Sequence, residues 1–325
     1  MIHKLIIVYN VRSSHYQAVR REVLVPARQL KGWLVGKYEL KPTDVDDNAA
    51  QLAKLLHDGD LVVAVGGDGT AAVAVNGIML SKKKVTFSAL GYGNFNDVAQ
   101  MLGTRRPVEY GGEYVGGILE IVANFEAGKV GTLRPMEIKV NGKHWRYAPA
   151  YLTMGMFAES TAVLNSTAVR KKLRTGKKHW LFSIVQLAKW YFRERKQDFI
   201  PVGVTKQTKR GAAEYPKVEL EAGVTDYLAI NSSRVAKFMR GSKSVGSTDE
   251  FLSVTGRLGN FWRLAWFMLR SILVKIPGRL SSVDVLSFAQ PAMVTLHAEG
   301  ESEELTGVEK IEVQKSEQAL QTVGM

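Results

Sequence analysis

The apolar run Leu61-Val62-Val63-Ala64-Val65 breaks into Gly66-Gly67-Asp68-Gly69-Thr70 and resumes as a helix-compatible stretch from Ala71 to Ile78. A buried strand that ends in a glycine-dense turn and restarts as a helix is the building unit of a parallel α/β sheet. Three turn positions lack a Cβ, so backbone N–H groups at the start of the helix can approach a phosphate closely. A tight turn that only needs positive φ is the plainer reading of such glycines. The strand before and the helix after favour the phosphate cradle.

The flanking sequence repeats the alternation of strand and helix. Lys4 to Tyr9 is expected as a first strand, Tyr16 to Leu30 as a helix and Gly36 to Leu40 as a second strand. Thr43 and Asp44 signal the start of a helix running from Asp44 to His57, with Ala49, Leu52, Ala53, Leu55 and Leu56 on its apolar face. Lys84 to Leu90 is a further strand and Asn96 to Leu102 a further helix, closed by Gly103. These elements predict a doubly wound α/β domain over residues 1–130. Beyond it the pattern becomes strand after strand, beginning with Pro135 to Val140, an Asn141-Gly142 turn and Lys143 to Thr153. Asn-Gly between alternating runs is a strong hairpin signal. Residues 131–314 therefore read as a mainly antiparallel β domain with helical inserts at Trp180 to Arg195 and Asn260 to Lys275. Its closing strands are expected at Val283 to Phe288, Met293 to Ala298 and Lys310 to Val313.

A chain of 325 residues is long enough to bury the cores of two such domains. It has no cysteine, which excludes disulfides, thiolate nucleophiles and Cys-ligated zinc, and its six histidines never fall at local zinc-pair spacing. Lys and Arg number 44 against 31 Asp and Glu, a net charge of +13 that attracts polyanions or anionic bilayers. Met1 to Asn10 reads as a strand and not as a signal peptide, and no apolar run approaches the roughly 18 residues of a spanning helix. The expectation is a cytoplasmic protein, soluble or peripheral at the membrane.

Between Asn165 and Lys196 ten basic residues face one acidic residue, Glu194, with Trp180, Phe182, Trp190, Tyr191 and Phe192 interleaved. That composition suits an amphipathic helix at an anionic membrane surface, the alternative being a basic helix that packs its aromatics inward. Phe261, Trp262, Leu264, Ala265, Trp266, Phe267 and Leu269 are read as core. No nucleic-acid-binding module is present, so no nucleic-acid partner is expected. An edge strand of the β domain could pair in a homodimer.

A second glycine loop, Gly91-Tyr92-Gly93-Asn94-Phe95-Asn96-Asp97, also lies between a strand and a helix. In a parallel sheet the two loops leave the same carboxyl edge, where nucleotides bind, although Asn96 and Asp97 could simply cap the helix. Neither loop is a Walker A loop or a dinucleotide fingerprint. Gly-Gly-Asp-Gly-Thr before a helix containing Asn76-Gly77, then Gly-x-x-Asn-Asp-x-Ala-x-x-Leu-Gly over Gly93 to Gly103, resembles the diacylglycerol kinase catalytic family. NAD kinases and phosphofructokinases share the first motif and an α/β domain of this kind, but not the second motif.

The resemblance extends over nearly the whole chain. Tyr9-Asn10 is similar to the family's Asn-Pro loop, and Thr43 stands where a nucleotide-contacting threonine is expected. Asp249, with Leu252 and Val254, resembles the Asp-Gly-x-Leu-x-Val element, and Glu299-Gly300-Glu301 resembles Asp-Gly-Glu. Val313 and Ala319-Leu320 resemble the closing strand, by which residues 315–325 complete the first domain. The resemblance implies a kinase using ATP and Mg²⁺ to phosphorylate a lipid hydroxyl. It implies nucleotide contacts at Asn10, Thr43, Gly66, Gly67, Asp68, Gly69, Thr70, Gly93, Asn94 and Asn96. It further implies metal organisation by Asp68, Asp97, Glu137 and Asp249, with Asp68 and Glu301 catalytic and Glu301 the base. Phosphoryl transfer asks for charge neutralisation, oriented phosphates and a carboxylate at the nucleophile, which these residue types supply.

The chain departs from the family pattern at several positions. Ala72-Val73 replaces Asn-Glu, Gly91 replaces a proline, Asn94 a threonine, Glu137 an aspartate, Glu250 a glycine and Glu299 an aspartate. A nucleotide- or lipid-binding homologue with weak or no catalysis, and a NAD-kinase-like phosphotransferase, are the alternatives.

Overall fold

A computed structural model of the chain describes residues 3–93, 95–165, 185–186, 188–194, 200–208, 217–232, 234–235, 239–240, 246–257 and 261–324. Asn94 and most of the basic segment between Asn165 and Lys196 lie outside the described residues. Strands β1 (His3–Tyr9), β2 (Trp33–Glu39), β3 (Leu61–Gly66) and β4 (Thr86–Gly91) form a parallel sheet in the order β2-β1-β3-β4. Leu320–Thr322 adds parallel to β4, and Gly131–Leu133 closes the far edge antiparallel to it. Side chains of β1 alternate between two cores. Ile6 and Val8 pack with Leu52, Ala74 and Ile78 of helices Val45–Ala53 and Asp68–Ser81. Leu5 and Ile7 pack with Val19, Val23, Ile118 and Ile121 on the other face. The sheet is thus wound on both sides, as the alternating sequence predicts.

Local differences from the sequence reading have local causes. The helix expected from Tyr16 to Leu30 ends at Ala27 and widens into a π turn over Arg20–Leu24. Pro26 has no N–H to donate and crowds the turn before it, so the widening falls where an α ladder would be broken. Helix Ile118–Glu126 and the small hairpin Val108–Tyr110 with Glu113–Val115 were not expected.

Most of the remaining strands form one large sheet in the order Arg279–Ser281, Phe251–Gly256, Asp226–Ile230, Tyr151–Met154, Val283–Ala298, Glu301–Lys315, Met136–Val140 and Lys143–Ala148, while among the described residues Arg234–Val235 and Met239–Arg240 pair only with each other. Val202–Thr208 pairs along the Val283–Ala298 strand, and Lys217–Val224 pairs in turn with Val202–Thr208. Asn141 and Gly142 both have positive φ, +50° and +78°, the twist a two-residue hairpin turn needs. The strand expected from Lys143 to Thr153 is two, divided where Pro149 cannot donate to a ladder. Conversely, the two strands expected between Val283 and Ala298 are one, with its register shifting between Ser287 and Val294 around Pro291. Lys310 to Val313 is part of the long strand Glu301–Lys315.

One face of this sheet holds its own core, including Leu152, Met154, Tyr227 and Phe251. The opposite face, with Tyr151, Leu228, Ile230, Leu252 and Val254, shares a continuous core with the first sheet's helices. Helix Phe261–Leu273 contributes Leu264 and Phe267 to that shared core, whereas Trp262, Trp266 and Leu269 are exposed. The reading of all these apolar residues as core is therefore corrected. The helix is apolar on two opposite sides, and only one can face inward. Among the described residues no helix is long and apolar enough to cross a membrane.

Two polar ties join the sheets. Asn76, buried in helix Asp68–Ser81, donates to the Tyr147 carbonyl and accepts from the Tyr147 N–H, both at 2.8 Å. Arg146, also buried, pairs with Asp46 at 2.8 Å and with Glu303 at 3.0 Å, linking helix Val45–Ala53 to strand Glu301–Lys315.

Candidate active site

The carboxyl ends of β1 and β3, where the strand order turns in opposite directions, open into a cleft of about 350 Å³. Asn10, Thr43, Gly66, Gly67, Asp68, Gly69, Thr70, Gly93, Glu299 and Glu301 all line it. Both glycine loops meet at its floor. A Cβ on Gly67 would come within 3.2 Å of the Gly93 Cα, and one on Gly93 would overlap the Gly67 Cα. The Tyr92 N–H donates to the Gly66 carbonyl at 2.7 Å, extending the β3–β4 pairing into the loops. Glycine is required here because two backbones touch, not because of positive φ.

Gly67 caps helix Asp68–Ser81 in extended conformation, so the positive end of a 14-residue helix dipole points into the cleft. The Asn96 side chain braces the second loop. It accepts from the Gly93 N–H at 2.6 Å, donates to the Gly93 carbonyl at 3.0 Å and tolerates φ +59°. The buried Asp68 carboxylate accepts from the Val98 N–H at 3.1 Å, at the start of helix Asp97–Met101. Burial raises the Asp68 pKa, and the amides around residues 96–98 oppose that rise. Asp68 therefore ties the first loop to the second and is a positioning group as well as a cleft residue.

On the opposite wall, Val283–Ala298 and Glu301–Lys315 are joined by Glu299-Gly300, with φ +52° and +89°. This tight two-residue turn aims the hairpin tip at the start of helix Asp68–Ser81. A Cβ on Gly69 would lie 3.1 Å from the Glu301 Oε1, so the exposed Glu301 carboxylate stands against the first glycine loop. Glu299 points the other way and is fully buried. Its Oε1 accepts from the Ala150 and Tyr151 N–H groups at 2.5 and 2.7 Å, and its Oε2 has no hydrogen-bond partner. Burial, reinforced by the neighbouring Asp68 carboxylate, pushes the Glu299 pKa well up. Burial likewise raises the Tyr151 hydroxyl pKa, with Glu299, Asp68 and Asp97 adding to the effect.

The four carboxylates expected to organise a metal do not converge. Asp97 is buried and lines a separate cavity with Gln100, Thr104 and Ser232. Glu137 lies on the second sheet, bonded to Gln314 and close to Lys139 and His144. Asp249 is exposed and paired with Arg134 at 2.7 Å. Among the described residues no group of three or more acidic or histidine side chains is arranged to hold a metal ion. A Mg²⁺ keeps much of its water and needs few protein carboxylates, so the Asp68 and Glu301 side chains that line the cleft are compatible with one.

The structure adds residues that no motif marked. Arg12, His15 and Lys41 line the cleft and bring cationic and N–H donor groups to a region suited to phosphate. Arg12 donates to the Lys41 carbonyl at 3.1 Å, and its N–H donates to the Asn10 Oδ1 at 2.9 Å. Buried Asn48 accepts from the Lys41 N–H and donates to the Thr43 hydroxyl, both at 2.9 Å, so it holds the Thr43 wall. The Asn10 turn and the Asp44 cap were the available signals.

Residues 4–128 match the family model of the diacylglycerol kinase catalytic domain. Over the full length, the fold is similar to crystal structures from Bacillus anthracis strain Sterne. One, titled a diacylglycerol kinase, has TM-score 0.65 and 14% identity, covering 100% of this chain and 97% of the other. A second, titled a candidate enzyme of the same kind, has TM-score 0.64 at the same identity and coverage. No curated protein matches the chain. The segment that carries both glycine loops thus matches the diacylglycerol kinase catalytic domain model, and it is joined to a mostly antiparallel β region in the fold of those bacterial structures.

Proposed function

We propose that the chain is an ATP- and Mg²⁺-dependent lipid kinase that transfers the γ-phosphate to a hydroxyl of diacylglycerol or a related lipid. The observation that carries this reading is the apposition of Glu301 and Gly69, which sets a carboxylate against the loop that would hold the phosphates. The amides at the start of helix Asp68–Ser81 bind phosphate oxygens, and Arg12 and Lys41 offset their charge. Mg²⁺ bound with the triphosphate would supply further charge neutralisation. Glu301 accepts the proton of the acceptor hydroxyl as its oxygen bonds to the γ-phosphorus and the bond to the β-phosphate oxygen breaks. ADP leaves, and the phosphorylated alcohol retains the transferred group.

The test is incubation with labelled ATP and either diacylglycerol or a membrane-lipid extract. Glu301→Gln is expected to reduce lipid labelling by about 10²-fold or more while leaving nucleotide affinity within about threefold. Equal labelling by both proteins removes the base assignment, and label on NAD alone selects the soluble-nucleotide alternative. A second reading, binding without turnover, draws on Val73, an apolar residue that lines the cleft where the resembling family carries a glutamate. Calorimetric ATP binding with no labelled product would favour it.

A further inference from the structure

Helix Phe261–Leu273 has two apolar stripes on opposite sides. Leu264 (4% exposed), Phe267 (7%) and the buried Ser271 face the shared core, where Phe267 meets Phe157 with ring centroids 5.0 Å apart. On the other side, Trp262, Trp266, Leu269 and Leu273 follow at helical spacing and are 74%, 66%, 48% and 66% exposed. Val274 prolongs the exposed stripe. Two neighbouring tryptophans presented outward are unusual for a face meant for water, since each indole combines a large apolar body with one N–H.

The charge around this stripe selects its partner. From Phe251 to Val283 the sequence contains Arg257, Arg263, Arg270, Lys275 and Arg279 and no acidic residue. Arg263 and Arg270 lie on one flank of the stripe and Lys275 follows its end, so the apolar surface is edged with cations. Tryptophan with flanking Arg and Lys is the composition of a helix lying in the interface of an anionic bilayer. A second copy of the chain would bring the same positive charge to the contact and be repelled. With 13 residues the helix spans roughly 20 Å, too short to cross a bilayer but suited to lie in its plane.

We propose that this helix is a membrane-docking element that inserts Trp262, Trp266, Leu269 and Leu273 among the lipids of an anionic leaflet. Its inner face packs on the side of the second sheet that carries Tyr151, which lines the cleft. Docking would therefore engage the bilayer through the sheet face that continues to the phosphate site. The proposal deepens the lipid-kinase reading, but its test is binding and needs no turnover.

The full-length protein is sedimented with vesicles of phosphatidylcholine alone and with vesicles containing 30% phosphatidylglycerol, at the order of charge density that recruits basic surfaces. The expected result is partitioning to the anionic vesicles and about tenfold or greater loss of it in Trp262→Ser/Trp266→Ser, with an unchanged melting temperature. Quenching of tryptophan fluorescence by brominated lipid should fall in the same variant. Arg263→Gln/Arg270→Gln should weaken binding and flatten its salt dependence. Retention of full vesicle binding by the double tryptophan variant overturns the proposal. So does absence of vesicle binding by the parent, or conversion of a dimer to a monomer by that variant with vesicle binding unaltered. Loss of binding in the variant together with no lipid phosphorylation by the parent would retain the docking surface and remove only the kinase reading.

Discussion

At the scale of single residues, the cleft depends on places where a side chain cannot exist. Gly67 and Gly93 bring two loops into backbone contact, and a methyl on Gly93 would displace one of them. Gly93→Ala is expected to cost about 1–3 kcal/mol of stability through overpacking and to weaken ATP binding at least about tenfold. Denaturant titration and calorimetry check the two effects separately. A second residue-scale prediction concerns Lys315, whose Nζ donates to the Arg134 carbonyl and to the Asn231 side chain beneath the sheet junction. Burial lowers its pKa from 10.5 to about 7. Between those values the unfolded chain binds more protons than the folded one, so this lysine makes stability rise with pH from about 7 to about 10. Below about pH 7 the ammonium must be buried and the full penalty applies. Lys315→Met is expected to flatten that slope in melting curves recorded across the interval.

At the scale of elements, helix Asp68–Ser81 performs two tasks: its first turn faces the cleft, and Asn76 fixes its middle to strand Lys143–Ala148. Asn76→Ala would leave the Tyr147 N–H and carbonyl without their partner. The expected cost is roughly 1–3 kcal/mol, with looser amide-exchange protection in strand Lys143–Ala148. The sequence made this helix and strands β1, β3 and β4 legible because continuous apolar runs and glycine turns are local signals. Asn141-Gly142 was legible for the same reason. Pro149 splits a predicted strand and Pro291 bends a continuous one, and only the partner strands decide which outcome follows. The two apolar stripes of Phe261–Leu273 were visible as hydrophobicity, but the packing of Leu264 and Phe267 determined which stripe remains outside. Site residues followed the same division. Glycines and Glu301 could be read from short motifs, whereas Arg12, Lys41 and Asn48 reach the cleft through turns and long-range bonds that no spacing encodes.

At the scale of the whole molecule, the two sheets share a core and exchange chain. Strand Leu320–Thr322 fits between β4 and Gly131–Leu133, while Ser88 donates to the Val323 carbonyl at 2.7 Å and Asn124 to the Gly324 carbonyl at 3.1 Å. Removing residues 319–325 would expose the β4 edge and empty the buried places of Leu320 and Val323. The shortened chain is expected to lose several kcal/mol of stability and to lose ATP binding under conditions where the parent retains it. Chemical denaturation followed by calorimetry distinguishes a folded but weakened protein from an unfolded one.

That inserted strand also imposes an order on biosynthesis. Residues 61–97 emerge from the ribosome early, yet the sheet that supports them waits for a segment translated after the entire β region. The two glycine loops thus gain the complete sheet that carries them only when the β region is already present, and a prematurely terminated translation product would be left with an open β edge beneath an unfinished cleft.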